Sequence, residues 1–159
     1  MELTQVDEIL DRNGCEQSNL LAIMQDIQAE ANWLPRKALE RVAERVGVSV
    51  AHLYRLATFF EAFHLEPRGK HIWTVCMGTA SHVRGARLQS EKLERDMDVD
   101  ERGNTGDMEH TVEEVNCVGA CALGPLIIVD GKYHGNMSSN KVDRVYKDFG
   151  LEAMTGGEE

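Results

Sequence analysis

Three of the chain's four cysteines, Cys76, Cys117 and Cys121, stand in glycine-bearing loops. Cys76 ends the apolar, β-branched run "HIWTVC" and opens "CMGTAS", in which Ser81 is the fifth residue after it. Cys117 and Cys121 are separated by three residues within "CVGACALGP". Iron–sulfur clusters take thiolates from loops, because four short side chains must converge on a compact core. Loops at strand ends supply that convergence, and their glycines let the backbone approach and aim N–H groups at sulfur. Two other readings of the same residues stay open at this level. One is a set of buried structural cysteines. The other is a zinc site of three cysteines and a histidine, although zinc pairs more often have a two-residue gap, which neither pair shows here. A serine hydroxyl such as Ser81 has nearly the size and reach of a thiol. It is a harder donor whose proton leaves only under the charge of a ferric ion at bonding distance. Cys15 stands alone in a polar, amphipathic segment and reads as a small buried hydrophobe.

The rest of the chain must hold such a site. Its 159 residues suit one ordinary domain or two small ones, and 42% hydrophobic content is enough for a packed core. Seventeen basic residues against 27 acidic ones give a net charge of −10, which argues against general affinity for nucleic acid or anionic lipid. No apolar run approaches a membrane span, and "MELTQVDEILDRNG" lacks the basic-then-apolar order of a secretion signal. The expectation is a cytoplasmic protein without direct membrane insertion. In that setting metal binding or redox chemistry is favoured over disulfides for the cysteines.

The pattern divides near Pro67. Before it, four segments carry apolar residues at helical spacing and form a bundle over residues 1–66. Leu3, Val6, Ile9 and Leu10 make one stripe. Leu20, Leu21, Ile23, Met24 and Ile27 make the next, opened by Ser18 or Asn19 as a cap. Pro35 starts "RKALERVAERVG", which Gly47 closes in a left-handed conformation. Ser49 caps "VAHLYRLATFFEAF", with Leu53, Leu56, Phe60 and Phe63 on one face. After "EPRGK" the period changes, and residues 70–150 read as an α/β layer. "HIWTVC" and "HTVEEV" are strands, with Val83, Ala86, Leu93 and Met97 on one face of a helix between them. The acidic stretch up to about residue 110 reads as a solvated loop. "LIIVDGKYHG" is a hairpin, because Asp130-Gly131 suits a two-residue type I′ turn. Val142, Val145, Tyr146 and Phe149 line a last helix closed by Gly150. Residues 151–159 form a flexible tail, and Trp73 and the phenylalanines read as core.

"ALERVAERVGVSVAHLYRLATFF" imitates a helix-turn-helix, with His52 and Arg55 on its second helix. That helix has few polar groups to meet base edges, and the net charge opposes DNA binding.

The segment "TVCMGTASHVRGARLQSEKLE", followed by "VEEVNCVGACALGPLIIVDGKYHG", resembles the thioredoxin-like 2Fe–2S ferredoxin subunits of NADH-oxidising complexes. That family includes the 24-kilodalton subunit of respiratory complex I and the small subunit of NAD(P)-linked, often electron-bifurcating, hydrogenases. The resemblance covers almost the whole chain, since "RVAERVGVSVAHLYRLATFFEAFHLEPRGKH" is similar to the family's N-terminal helical bundle. It implies an α+β protein with a helical bundle followed by a thioredoxin-like α/β domain. It also implies a 2Fe–2S cluster held by a C-x4-C pair and a C-x3-C pair. Cys76, Cys117 and Cys121 match three of those ligands, and the fourth family cysteine falls on Ser81. The resemblance further implies an electron-transfer subunit without a catalytic site of its own. Its partners would be a flavoprotein subunit carrying FMN and the NAD(H) site, and further iron–sulfur subunits. The wording "GTASHVRGA" is closer to the soluble, hydrogenase-type subunits than to the respiratory ones. A structural docking subunit with an empty or impaired site, Ser81 having replaced a ligand, is the competing expectation. His82 beside Ser81 is expected to pack near the site rather than ligate, Arg84 and Arg87 to steer a partner or solvate a helix, and Gly124-Pro125 to fix the loop after Cys121.

Overall fold

The computed structural model describes residues 2–151. The chain forms two compact units that divide between Arg68 and Gly69. The expected flexible tail lies, from residue 152 on, outside the described residues.

The first unit is four helices: α1 (Leu3–Arg12), α2 (Leu20–Ala31), α3 (Arg36–Val46) and α4 (Val50–Phe59). Their apolar stripes meet in one core containing Val6, Ile9, Leu10, Ile23, Met24, Ile27, Leu39, Val42 and Leu53. The junction of α3 and α4 follows the residue chemistry. Gly47 ends α3 at φ +77°, a region open to glycine at little cost, and the Ser49 hydroxyl accepts a hydrogen bond from the His52 N–H at 3.2 Å. Asp7 on α1 accepts from Arg41 and Arg45 on α3 at 2.9–3.0 Å, and the Arg41 guanidinium foremost holds its carboxyl below the usual range.

Several expectations are corrected here. Asn19 occupies the cap position of α2 but makes no capping bond, and Ser18 bonds Glu16 instead, because a 3-10 turn over Gln17–Asn19 leads straight into the helix. Pro35 is the cap residue of α3 rather than its first helical residue. The α4 stripe stops early. The helix ends at Phe59, which is 80% exposed since it lies six residues past Leu53, on the far side of a 3.6-residue period. Phe60 is also exposed, so of these aromatics only Phe63 is core. Cys15 is half-buried, packed against the edge of this core with its sulfur 3.6 Å from an Arg45 nitrogen.

The second unit is a four-stranded sheet with helices. Its strands are β1 (His71–Cys76), β2 (His110–Val115), β3 (Ile127–Val129) and β4 (Lys132–His134), in the order β2-β1-β3-β4. β1 runs parallel to β2, with Cys76 opposite Val115, and antiparallel to β3. The β3–β4 hairpin turns at Asp130 and Gly131, both at positive φ (+49° and +79°), as a type I′ turn requires. Between β1 and β2 run α5 (Thr79–Val83) and α6 (Ala86–Met97), and α7 (Ser139–Asp148) closes the unit. Trp73, Val75, Leu93, Val112, Ile127, Val142 and Tyr146 fill the core between sheet, α6 and α7. Trp73 also donates to His110 Nδ1 at 3.2 Å, and burial holds that imidazole below its ordinary pKa, as an acceptor.

The single helix expected through Val83 and Met97 is two helices. Gly85 at φ +97° breaks it, and Val83, on the short first piece, is 78% exposed while Ala86, Leu93 and Met97 are buried. The acidic loop after α6 is also less solvated than expected. It folds back along the free edge of β2, where Val112 N–H donates to Gly103 O at 2.7 Å and Thr111 Oγ1 donates to Asn104 at 2.6 Å, with Asn104 and Thr105 buried. That covers an otherwise open sheet edge. Among the described residues, no helix is long and apolar enough to cross a membrane.

One buried cluster of three charges joins α6 to α7. Lys92 Nζ lies 2.5 Å from Asp96 and 2.9 Å from Asp143, and the Asp96 side chain is 1% exposed. Burial pushes the lysine down, but bonds to the two aspartates outweigh it and raise it above the ordinary 10.5. A raised folded-state value stabilises the fold fully below the unfolded-state value, and the gain is lost as pH rises through the folded-state one. Lys92→Met leaves the buried Asp96 carboxylate with only Arg95, 3.3 Å away, and should cost about 3 kcal/mol. Thermal melts at pH 7 should show that loss, and the gap between parent and variant should close as pH rises above 10.5.

Candidate metal centre

The site sits where β1 ends. Cys76 is 5% exposed, with its N–H donating to Leu126 O at 3.0 Å and the next N–H, of Met77, donating to Val115 O at 2.8 Å. Both neighbouring strands therefore hold the last residue of β1. The chain then turns at Gly78, whose carbonyl accepts from the Ser81 and His82 N–H groups at 2.9 Å. This starts α5 and turns Ser81 inward, where it is 2% exposed.

The second loop approaches from the end of β2. A methyl group on Gly78 would lie 2.9 Å from Asn116 O and 3.2 Å from Cys117 Sγ. A methyl group on Gly124 would lie 2.9 Å from Ser81 Oγ and 3.2 Å from the Ser81 backbone. Neither contact leaves room for a side chain, so these two glycines let the loops close on each other. Gly124 precedes Pro125 in a cis peptide, and the segment it belongs to is held by Asn136 N–H to Leu123 O (2.7 Å) and Met137 N–H to Pro125 O (2.9 Å).

The result is a polar cluster around one sulfur. Burial pushes the Cys76 thiol up, yet hydrogen bonds from the Ser81 hydroxyl, the Val118 and Gly78 N–H groups and Cys117 outweigh burial and lower it. Gly119, at φ +79°, directs its N–H to Cys117 Sγ at 3.4 Å. Cys117 and Cys121 are exposed and line an open recess of about 630 Å³ together with Gly78, Thr79, Ala80, Val83, Arg84 and Asn116.

Of the residues singled out in the sequence, Cys76, Ser81 and Cys117 thus meet directly, and Cys121 lies across the same recess. His82 is not part of it. Its side chain is exposed and does not line the recess, because it follows Ser81 on a helix whose inward face Ser81 occupies. The zinc arrangement is not assembled either, since among the described residues no three His, Cys, Asp or Glu side chains gather closely enough to hold a single ion. Arg87 pairs with Glu91 at 2.8 Å on the exposed side of α6. Asn116, whose carbonyl packs on Gly78, carries no signal in the sequence. The inward role of Arg84 was equally hidden: its Nη1 donates to Cys121 O (3.3 Å) and Gly124 O (3.1 Å). Only "HVRGA" hinted at it, by placing an arginine before a helix-breaking glycine.

These residues fit a small iron–sulfur cluster. Three sulfurs and one hydroxyl arrive from two loops at strand ends, hydrogen bonds hold the Cys76 thiol below its ordinary pKa, and backbone N–H groups point at sulfur.

Residues 6–150 match the family described as thioredoxin-like [2Fe-2S] ferredoxin. Two relatives are similar over most of their length. One is the NADP-reducing hydrogenase subunit HndA of Solidesulfovibrio fructosivorans, 28% identical over 145 residues that cover 91% of this chain and 85% of the relative. The other is a subunit of the NADH-quinone oxidoreductase of Rhizobium meliloti (strain 1021), 31% identical over 145 residues, 91% of this chain and 86% of the relative. Among solved structures, a chain of an NAD+-reducing [NiFe]-hydrogenase in the air-oxidized state superposes with a TM-score of 0.72 at 16% identity, over 83% of this chain. The overlap spans 23% of that hydrogenase chain, and the likeness is one of fold.

Gly78→Ala and Gly124→Ala should each cost about 2 kcal/mol by overpacking. Alkylation of the metal-free protein, followed peptide by peptide, should find Cys76 the slowest of the three loop thiols in the parent. It should react several-fold faster in either variant, as the loops are forced apart.

Proposed function

We propose that this chain, which belongs to the thioredoxin-like [2Fe-2S] ferredoxin family, is the electron-transfer subunit of a multisubunit NAD(P)H-linked oxidoreductase and holds its cluster with Cys76, Ser81, Cys117 and Cys121. The observation that carries this reading is the meeting of Cys76, Ser81 and Cys117 at the end of β1, with Cys121 across the recess. Members of the family carry a 2Fe–2S cluster, which supplies one-electron chemistry when bound. The chain's own residues do the rest. The end of β1 fixes Cys76, the glycines admit the second loop, and the exposed sides of Cys117 and Cys121 leave the site open to a partner at close range. The neighbour in this reading is a flavoprotein subunit with FMN and the NAD(H) site, in an assembly that includes further iron–sulfur subunits. Relatives named as subunits of an NADP-reducing hydrogenase and of NADH-quinone oxidoreductases support it. The hydrogenase type is favoured by the wording of the Cys76 loop, with electron bifurcation as the use that such a side centre serves.

Ser81 decides between this reading and a docking subunit with an impaired site. A ligand role is supported by its position: it is 2% exposed, its hydroxyl bonds the Cys76 sulfur, and Gly124 packs against it. Oxygen, the harder donor, favours the oxidised cluster and lowers the reduction potential.

Parent and Ser81→Cys should both contain two irons per chain, with a higher potential and a longer-lived cluster in the variant. A parent without iron beside a variant that has it assigns the chain to docking alone. Cys121→Ala should remove the visible absorbance that Cys15→Ala leaves intact. An unchanged spectrum in Cys121→Ala removes that residue from the ligand set.

A further inference from the structure

The loop that carries Cys117 and Cys121 is held by few hydrogen bonds of its own. Both cysteines are exposed, and the 3-10 turn over Cys121–Leu123 has no side-chain cap. Besides Cys76, which accepts from the Val118 N–H, what reaches across to it from the other ligand loop is Arg84. Its Nη1 donates to the carbonyls of Cys121 and Gly124, either end of that turn, and its side chain lines the recess beside Cys117 and Cys121. No other hydrogen bond engages that guanidinium among the described residues. It sits three residues beyond Ser81, where α5 ends and the left-handed Gly85 redirects the chain.

We infer that Arg84 is a positioning residue of the cluster site, with two physical effects. Its Nη1 ties the Cys121–Gly124 turn to the end of α5, so that the two ligand loops keep one spacing whether or not metal is present. Its permanent positive charge, facing the recess lined by Cys117 and Cys121, favours the state with one more negative charge, and so raises the reduction potential of the bound cluster. This opposes the lowering that an oxygen ligand at Ser81 brings. Glutamine and lysine in its place separate the effects, since lysine keeps the positive charge and glutamine removes it. The inference rests on the cluster reading for its second effect and is independent of it for the first.

The experiment compares the full chain with Arg84→Gln and Arg84→Lys. On metal-free protein, hydrogen exchange at the amides of residues 118–124 should quicken several-fold in Arg84→Gln while α6 and β1 amides keep the parent rate. On the loaded protein, an EPR-monitored titration with dithionite as electron donor should show a lower midpoint in Arg84→Gln, restored toward the parent in Arg84→Lys. Exchange at the parent rate in Arg84→Gln overturns the clamp. Faster exchange with an unmoved midpoint overturns the electrostatic role and leaves a mere tether. A parent that holds no iron refutes the cluster reading and with it the electrostatic role, while the exchange measurement still decides the clamp.

Discussion

Two missing side chains set the terms for the whole second unit. At Gly78 the loop leaving β1 passes so close to Asn116 and Cys117 that a single methyl group would collide with backbone, and at Gly124 it would press on the Ser81 hydroxyl at 2.9 Å and the Ser81 backbone at 3.2 Å. Close approach of two polar backbones is costly unless their groups are satisfied. Here they are, through the Cys76 and Met77 N–H groups on Leu126 and Val115, and through Arg84 on Cys121 and Gly124. The sheet order follows the same need. With β1 in the interior between β2 and β3, the loops after Cys76 and Val115 and the segment before Ile127 all gather at one end.

Electrostatics then gives that end its chemistry. Burial alone would push the Cys76 thiol up, and the surrounding hydrogen bonds outweigh it and hold the thiol below its ordinary pKa. A thiol prepared in this way needs no rearrangement to become a ligand, so the protein bears the ordering cost in its fold rather than on metal binding. The Lys92–Asp143 contact and the Trp73–His110 bond do related work behind the site, tying α7 to α6 and β1 to β2.

Much of this was legible in the residues. Gly47 with Ser49, and Asp130 with Gly131, encode their turns through backbone chemistry that leaves few alternatives, and both stand as read. The ligand loops were visible because cysteine and glycine are rare and their spacing is specific. Periodicity failed where it was extended past a terminator. It carried the α4 stripe through Phe60 to Phe63, beyond the helix end, where Phe60 is exposed though Phe63 is buried, and ran one helix through Gly85, whose left-handed φ breaks it. His82 was drawn toward the site by being next to Ser81, although neighbours on a helix point about 100° apart. The contacts of Arg84 and Gly124 were invisible for a different reason: their partners lie some 40 positions away, and only the folded sheet brings them together.

The central claim is that Ser81 completes a site otherwise made of Cys76, Cys117 and Cys121. Iron-edge X-ray absorption on the iron-loaded parent tests it most directly, because an oxygen bound to ferric iron lies closer than a sulfur. The account predicts a short iron–oxygen shell beside the iron–sulfur shell, and its disappearance in Ser81→Cys. Iron coordinated by sulfur alone in the parent, or an oxygen shell that persists in Ser81→Cys, would contradict it.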